Sequence, residues 1–180
     1  MTWILSSSSD PVALAVVDGL EHFDLFSRVD YRGQGAHYSR RTPGSKTFTG
    51  IGQEIVLVTE CGRAVWSVVL QKTPSAVGSG GSRGRSGCAD SRARFVWRNN
   101  VFRNLGAGLS SELIREATER TYVEWRERYY ELPSVRLRTE VDVNRVRSTN
   151  PGCCYQKAGW ERGELKRGKL FWYAPALEDQ

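Results

Sequence analysis

Apolar residues recur at two spacings in the first half of the chain. An Asp-Pro pair precedes a helically spaced apolar stretch at 12–26. This predicts a helix that ends near residue 27, because Asp can cap free N–H groups and Pro suits the first helical position. Two β-rich runs at 54–59 and 64–70 predict an antiparallel hairpin. Their nearly continuous apolar sequence is typical of central strands covered on both faces.

The second half of the chain alternates strands with helices. Strand-like sequence at 95–102 is followed by an amphipathic helix at 109–130, with apolar residues on one face and charged residues on the other. Strict alternation of polar and apolar residues at 135–143 predicts a further strand. A short helix at 150–159 is bounded by Asn-Pro and by Gly, and a last strand occupies 169–173. The order predicts an α/β fold with a mixed β-sheet flanked by helices.

Length and composition predict one domain over 1–180. Hydrophobic residues make up 39% of the chain and charged residues 26%, which is the balance of a globular protein. The longest apolar runs are far shorter than the about 20 residues that a transmembrane helix needs, and the N-terminus lacks a signal-peptide pattern. The cysteines form neither a disulfide framework nor a zinc pair. We therefore expect a cytoplasmic protein that makes no contact with a membrane.

A basic charge balance and a Gly/Ser/Arg-rich segment favour an anionic partner. The formal net charge is +6, which favours nucleic acid or the phosphates of a cofactor, although a GC-rich genome would also produce an excess of Arg. Residues 78–92 are of low complexity and predict a flexible loop within the domain. Its arginines, among them Arg83 and Arg85, either contact phosphates or form a solvated charge run.

A glycine-rich turn at 103–108 lies between a predicted strand and the long helix. The free N–H groups of a helix N-terminus and its dipole can bind phosphate, and glycine lets the backbone approach an anion closely. The alternative is a strand-to-helix turn without a ligand. If the turn binds a cofactor, the residues involved are Arg103, Asn104, Gly106 and Gly108.

Two segments of the second half resemble the signatures of GNAT acyltransferases. The turn at 103–108 is similar to the Arg/Gln-x-x-Gly-x-Gly motif that holds the pyrophosphate of acyl-coenzyme A, and 150–160 is similar to a second motif with a tyrosine on a short helix. The resemblance implies a GNAT-like fold and acetyl-coenzyme A or another acyl or glycyl donor. It also implies that Tyr155 donates a proton to the departing thiolate. Glu140 or Asp142, on one face of the strand at 135–143, would be the base.

A narrower resemblance covers more of the chain. The matching segments are His37-Tyr38-Ser39, Arg98-Asn99, Phe102-Arg103-Asn104, Thr139 to Asp142 and 150–160. They are similar to the Mom proteins of bacteriophages, a divergent GNAT branch that converts adenine in double-stranded DNA to N6-carbamoylmethyladenine and so protects phage DNA from restriction. This resemblance implies catalytic roles for His37, Tyr38 and Ser39. It also implies an iron ion held by His37, Tyr38, Asp142 and Tyr155, which are chemically suitable ligands. Without the resemblance, the alternative is that His37 and Tyr38 are two polar residues of a loop, hydrogen-bonded to the backbone.

DNA modification adds two requirements, a route to a stacked base and contacts to phosphates. Base flipping uses an aromatic pocket, and the chain has six tryptophans, although core positions are the ordinary explanation for them. The basic residues that could contact DNA are Arg40, Arg83, Arg85, Arg145 and Arg147.

Three functions follow from these patterns. The first is DNA adenine modification by a Mom-like enzyme in the cytoplasm of a host cell. The second is an ordinary acetyl-coenzyme A dependent N-acetyltransferase acting on a small amine or a protein, in which the loop at 37–39 has no role. The third is a non-catalytic protein that has kept the fold and binds only DNA or coenzyme A.

Overall fold

A computed structural model describes residues 2–18, 46–49, 51–73, 95–146 and 148–176. Within these residues, three helices pack on a seven-stranded mixed sheet and form an α/β domain. The elements in chain order are β1 (Trp3–Ser6), α1 (Pro11–Asp18), β2 (Gln53–Thr59), β3 (Ala64–Lys72), β4 (Phe95–Asn104), α2 (Ser110–Tyr129), β5 (Arg138–Asp142), α3 (Cys153–Lys157), β6 (Glu161–Lys166) and β7 (Lys169–Tyr173).

All five predicted strands are present in one sheet, and all three predicted helices are present beside it. The order across the sheet is β1-β2-β3-β4-β5-β7-β6, and every neighbouring pair is antiparallel except β4 and β5. The parallel pair is aligned only at Arg98 and Arg138. Because β4 continues to Asn104 and β5 to Asp142 without further pairing, the two strands separate toward their carboxyl ends.

A β-bulge in β4 changes the side of the sheet to which its residues point. Val68 of β3 is aligned with Asn99, whereas the preceding Ser67 is aligned with Val101, so Asn100 is the additional residue. A bulge of this kind leaves one residue out of the ladder and increases the local twist. As a result, both Trp97 and Phe102 belong to one core, while Val101 belongs to the other.

The sheet separates two hydrophobic cores of unequal size. The larger contains side chains of α2 and α3 together with one face of all the central strands, including six buried tryptophans: Trp3, Trp66, Trp97, Trp125, Trp160 and Trp172. The smaller contains α1, Phe48 and the opposite face of β2, β3 and the end of β4. These six tryptophans are therefore core residues and do not line an open pocket for a base.

The structure differs from the sequence-based expectations mainly at the edges of the sheet. Strands β1 and β6 were not predicted. Strand β1 has only four residues, and β6 is almost entirely exposed, so neither carries a clear buried pattern. Strand β5 is shorter than the predicted 135–143, and the predicted helix from 10 to 27 is described only as far as Asp18. No helix among the described residues is long and apolar enough to cross a membrane.

Candidate functional site

Tyr155 lies on α3, where this short helix packs against the sheet. Gly152 precedes the helix with φ of 83°, a left-handed conformation that favours glycine. A Cβ atom at this position would lie 2.2 Å from Nε1 of Trp172 on β7. The absence of a side chain at Gly152 therefore allows α3 to approach the sheet closely enough for the Tyr155 ring to be buried, at 2% exposure.

The phenol of Tyr155 belongs to a buried hydrogen-bond network between the two parallel strands. It donates to Oδ1 of Asn99 on β4 over 2.9 Å. The hydroxyl of Thr139 on β5 also donates to Asn99, to the carbonyl oxygen over 3.2 Å and to Oδ1 over 3.3 Å. Asn99 Nδ2 in turn donates to the carbonyl oxygens of Ser67 and Val101, which are aligned with each other next to the bulge. We call Tyr155, Asn99 and Thr139 the buried polar triad.

Burial determines the protonation state of Tyr155. Desolvation raises the pKa of its phenol well above the ordinary value, and the neighbouring Cys154 raises it further, while a hydrogen bond with Thr139 lowers it. The phenol is therefore protonated throughout the neutral range. It is a proton donor in this environment, and it is poorly suited to act as a phenolate ligand.

Glu140 and Asp142 face the side of β5 opposite to Tyr155. The strand has alternating burial, with Thr139 and Val141 buried on the α3 side. Glu140 pairs with Lys169 over 2.8 Å. Asp142 accepts a hydrogen bond from the Asn144 amide over 3.1 Å and pairs with Arg145 over 3.3 Å. The structure therefore does not bring either carboxylate together with Tyr155 on one face of the sheet.

The turn after β4 is organised by the side chain of Asn104. Its Oδ1 accepts hydrogen bonds from the amides of Gly106 and Ala107, over 3.0 and 2.8 Å. Its Nδ2 donates to the Gly108 carbonyl oxygen over 2.8 Å and to the Ser110 hydroxyl over 3.0 Å. The side chain of Asn104 thus fixes the conformation of the turn. Two of the amides that a phosphate would need, those of Gly106 and Ala107, already donate to Asn104.

The remaining donors of the turn lie at the N-terminus of α2. Leu109 is the N-cap residue and makes no side-chain capping hydrogen bond, so the amides of the first turn lack intrahelical acceptors. Gly106 has φ of 90°, and a Cβ atom there would meet nothing within 4 Å. The amides from Gly108 to Ser111 therefore lie at a positively polarised helix end, a position that favours an anion, and Gly108 and Leu109 are exposed there.

Arg103 points away from this turn. Its guanidinium is buried and donates from Nη1 to the Val17 carbonyl oxygen at the end of α1, over 2.9 Å. In this position it joins α1 to β4 and satisfies a carbonyl group that the helix leaves without an intrahelical donor. A direct contact between Arg103 and a cofactor phosphate stays a prediction.

Several predicted site residues lie outside the described part of the chain. They are His37, Tyr38, Ser39, Arg40, Arg83, Arg85 and Arg147, together with the loop at 78–92. Arg145 is described, and its side chain is 52% exposed beside Asp142. The DNA contacts predicted for these arginines and the roles predicted for residues 37–39 remain predictions.

The two described members of the predicted iron set do not fit one metal site. Asp142 and Tyr155 lie on opposite faces of β5, and the Tyr155 phenol is protonated and donates to Asn99. Within the ranges that the structure describes, no three His, Cys, Asp or Glu side chains cluster closely enough to hold a metal ion.

Asn99 and Thr139 are the residues whose role sequence analysis missed. Both occur in segments quoted for the resemblance, but neither received a function. The sequence did contain one signal, a polar residue at an inward-facing position of a buried strand. A buried polar side chain needs a specific hydrogen-bond partner, so such a position indicates a defined contact. The partner itself could not be identified, since Asn99 and Tyr155 are 56 positions apart.

Replacing Asn104 with alanine tests the organisation of the turn. If the turn holds acyl-coenzyme A, the variant should bind it about tenfold more weakly or worse, because it loses four hydrogen bonds that hold the turn. Calorimetric titration with desulfo-coenzyme A measures the affinity. Asn150→Ala is the matched control, since Asn150 is exposed and its side-chain amide donates to Gln156. Equal affinities of the two variants would contradict the assignment.

Comparison of the chain with protein-family models, with curated proteins and with solved structures gave no match in any of the three.

Proposed function

We propose that this chain is an acyltransferase of the GNAT type that modifies adenine in DNA, as the Mom enzymes do. One observation carries the proposal: the only parallel pair within the described sheet, β4 and β5, separates immediately beside an uncapped helix N-terminus. A GNAT cofactor enters where two parallel strands diverge. The resemblance of the segments at 37–39, 98–104, 139–142 and 150–160 to Mom proteins adds the DNA substrate.

The cofactor site in this proposal is the helix end after the turn at 103–108. An acyl-coenzyme A would supply an activated acyl group. The amides from Gly108 to Ser111 would bind its pyrophosphate, and Asn104 would keep the turn in the shape that exposes them. Gly106 leaves room for close approach, because no side chain or neighbouring atom occupies that space.

The proposed acid and base act from opposite sides of the sheet. A group held in the gap between β4 and β5 is reachable from both faces. Tyr155 would donate its phenolic proton to the departing sulfur from the α3 side, since its raised pKa keeps it protonated. Glu140 or Asp142 would accept the proton of the attacking nitrogen from the other side. This division gives a reason for the separation of Tyr155 from the two carboxylates.

A second candidate is an ordinary acetyl-coenzyme A dependent N-acetyltransferase. The placement of Asp142 and Tyr155 on opposite faces of β5 favours it, because that arrangement suits acid-base catalysis and not a shared metal. In this alternative the segment at 37–39 has no catalytic role. The acceptor would be a small amine or a protein, and DNA would remain unmodified.

Mass spectrometry of nucleosides separates the two candidates. DNA is isolated from cells that express the chain, digested, and examined for N6-acyladenine, the direct product of acyl transfer from the thioester, and for N6-carbamoylmethyladenine, which carries an N6–CH2 bond and an amide nitrogen and so requires chemistry and a nitrogen donor beyond that transfer. We expect the modified nucleoside with the wild-type protein, a large decrease with Tyr155→Phe, and no change with Arg115→Gln, which alters an exposed residue of α2. Unmodified DNA from cells that contain folded wild-type protein would contradict the adenine proposal. Acetylation of a panel of amines by the same protein would then support the second candidate.

A further inference from the structure

Two arginines stand side by side on the sheet face opposite to α2 and α3. Arg98 of β4 and Arg138 of β5 are the aligned residues of the parallel pair. Neighbouring strands are about 4.8 Å apart, so aligned side chains point to the same face and lie close together. Two like charges in this relationship destabilise a sheet unless an opposite charge compensates for them.

The described neighbours of Arg98 and Arg138 supply little negative charge to offset the two guanidinium groups. Arg98 donates from Nη2 to Oε1 of Gln71 over 2.8 Å, and that partner is neutral. Arg138 is 3.8 Å from the nearest oxygen of Glu140. Glu140 is closer to Lys169, at 2.8 Å. Arg138 and Lys169 therefore share the Glu140 carboxylate, and Arg98 has no acidic partner among the described residues.

Both guanidinium groups also have a buried donor without an acceptor. In the part of the chain that the structure describes, Nε of Arg98 and Nε of Arg138 are shielded from solvent and have no hydrogen-bond partner. A buried donor on a charged group is costly to leave unsatisfied. The Arg138 guanidinium lies 5.1 Å from the centre of the Phe171 ring, which restricts its orientation. Arginine presents its donors in a planar fork that matches a carboxylate or a phosphate.

We propose that Arg98 and Arg138 form a binding site for an oxyanion, a carboxylate or phosphate group of the substrate. The site lies at the base of the gap between β4 and β5, on the face that carries Glu140. It is the acceptor side of the proposed active site, and in this respect the inference rests on the proposed function. The anion would supply the missing charge and accept hydrogen bonds from the terminal Nη groups of the two arginines.

Thermal unfolding at constant ionic strength tests the site without requiring catalysis. Sodium phosphate replaces sodium chloride stepwise, so that general screening stays constant. We expect phosphate to raise the Tm of the wild-type protein to a plateau, as binding to the folded state does. The apparent affinity should fall about tenfold or more in Arg98→Gln and in Arg138→Gln, and it should not change in Arg115→Gln. Arg138→Lys keeps the charge but loses the fork, and should bind phosphate more weakly than the wild type.

The Tm without phosphate distinguishes a binding site from a structural pair. If the arginines serve a ligand, Arg98→Gln should melt no lower than the wild type, because it relieves repulsion between like charges. Identical phosphate responses in all the variants, or none in the wild type, would overturn the proposal.

Titrations with glycine and with a short single-stranded oligodeoxynucleotide then identify the source of the anion. Binding of glycine indicates a small carboxylate substrate, and binding of the oligonucleotide indicates the DNA backbone. Phosphate binding with unmodified DNA would reject the proposed function and leave the oxyanion site intact.

Discussion

Tyr155→Phe is expected to reduce kcat by about 10²- to 10⁴-fold, the range typical of removing a general acid. The change deletes the only proton that Tyr155 can donate and keeps the ring in place. Because burial raises the pKa of this phenol, it stays protonated at every pH at which the protein is assayed. We therefore expect the alkaline decline of the wild-type pH profile to be absent below about pH 10, the ordinary pKa of tyrosine. Thioester cleavage followed by thiol release measures kcat and the pH profile.

Tyr122→Phe is the matched control for this experiment. Tyr122 is also a largely buried tyrosine, and its hydroxyl donates to the Pro175 carbonyl oxygen over 3.0 Å. Each substitution removes one buried hydroxyl and should cost about 1 kcal/mol of unfolding free energy. The Tyr155 hydroxyl is bonded to Asn99 of β4, whereas that of Tyr122 is bonded to Pro175, beyond the last strand. Similar catalytic losses in the two variants would show that the effect arises from general loss of packing and would reject the acid role.

Asn99→Ala is expected to destabilise the fold by about 3 kcal/mol or more. The side chain donates to two backbone carbonyl oxygens and accepts hydrogen bonds from Tyr155 and Thr139, all in the interior. Its removal leaves several buried polar groups without partners, and each costs about 1–3 kcal/mol. Urea denaturation followed by tryptophan fluorescence measures the difference in unfolding free energy.

Thr139→Val provides a graded comparison. Valine has nearly the same shape, and the substitution removes only the hydroxyl that donates to Asn99. We expect a cost of about 1 kcal/mol, clearly less than that of Asn99→Ala. If Asn99→Ala changed the unfolding free energy by no more than Thr139→Val, Asn99 would not be the centre of the buried polar triad.

The sequence by itself determined the order and type of most elements, because hydrophobic periodicity is a local property. The spacing of apolar residues located α2 within one residue at each end, and alternation along β5 correctly separated Thr139 from Glu140 and Asp142. Edge strands β1 and β6 were missed for the same reason. An edge strand buries few residues, so its pattern resembles that of a loop.

The tertiary structure alone decided which polar residues meet. The Arg103 guanidinium donates to the Val17 carbonyl oxygen, 86 positions away, a contact that no local pattern specifies. Tyr155 reaches Asn99 because α3 packs on the same face of the sheet as α2, and no local pattern specifies that face. Arg98 and Arg138 become neighbours only through the single parallel contact between β4 and β5. Such pairings depend on strand order and on the bulge at Asn100, which arise when the whole sheet assembles.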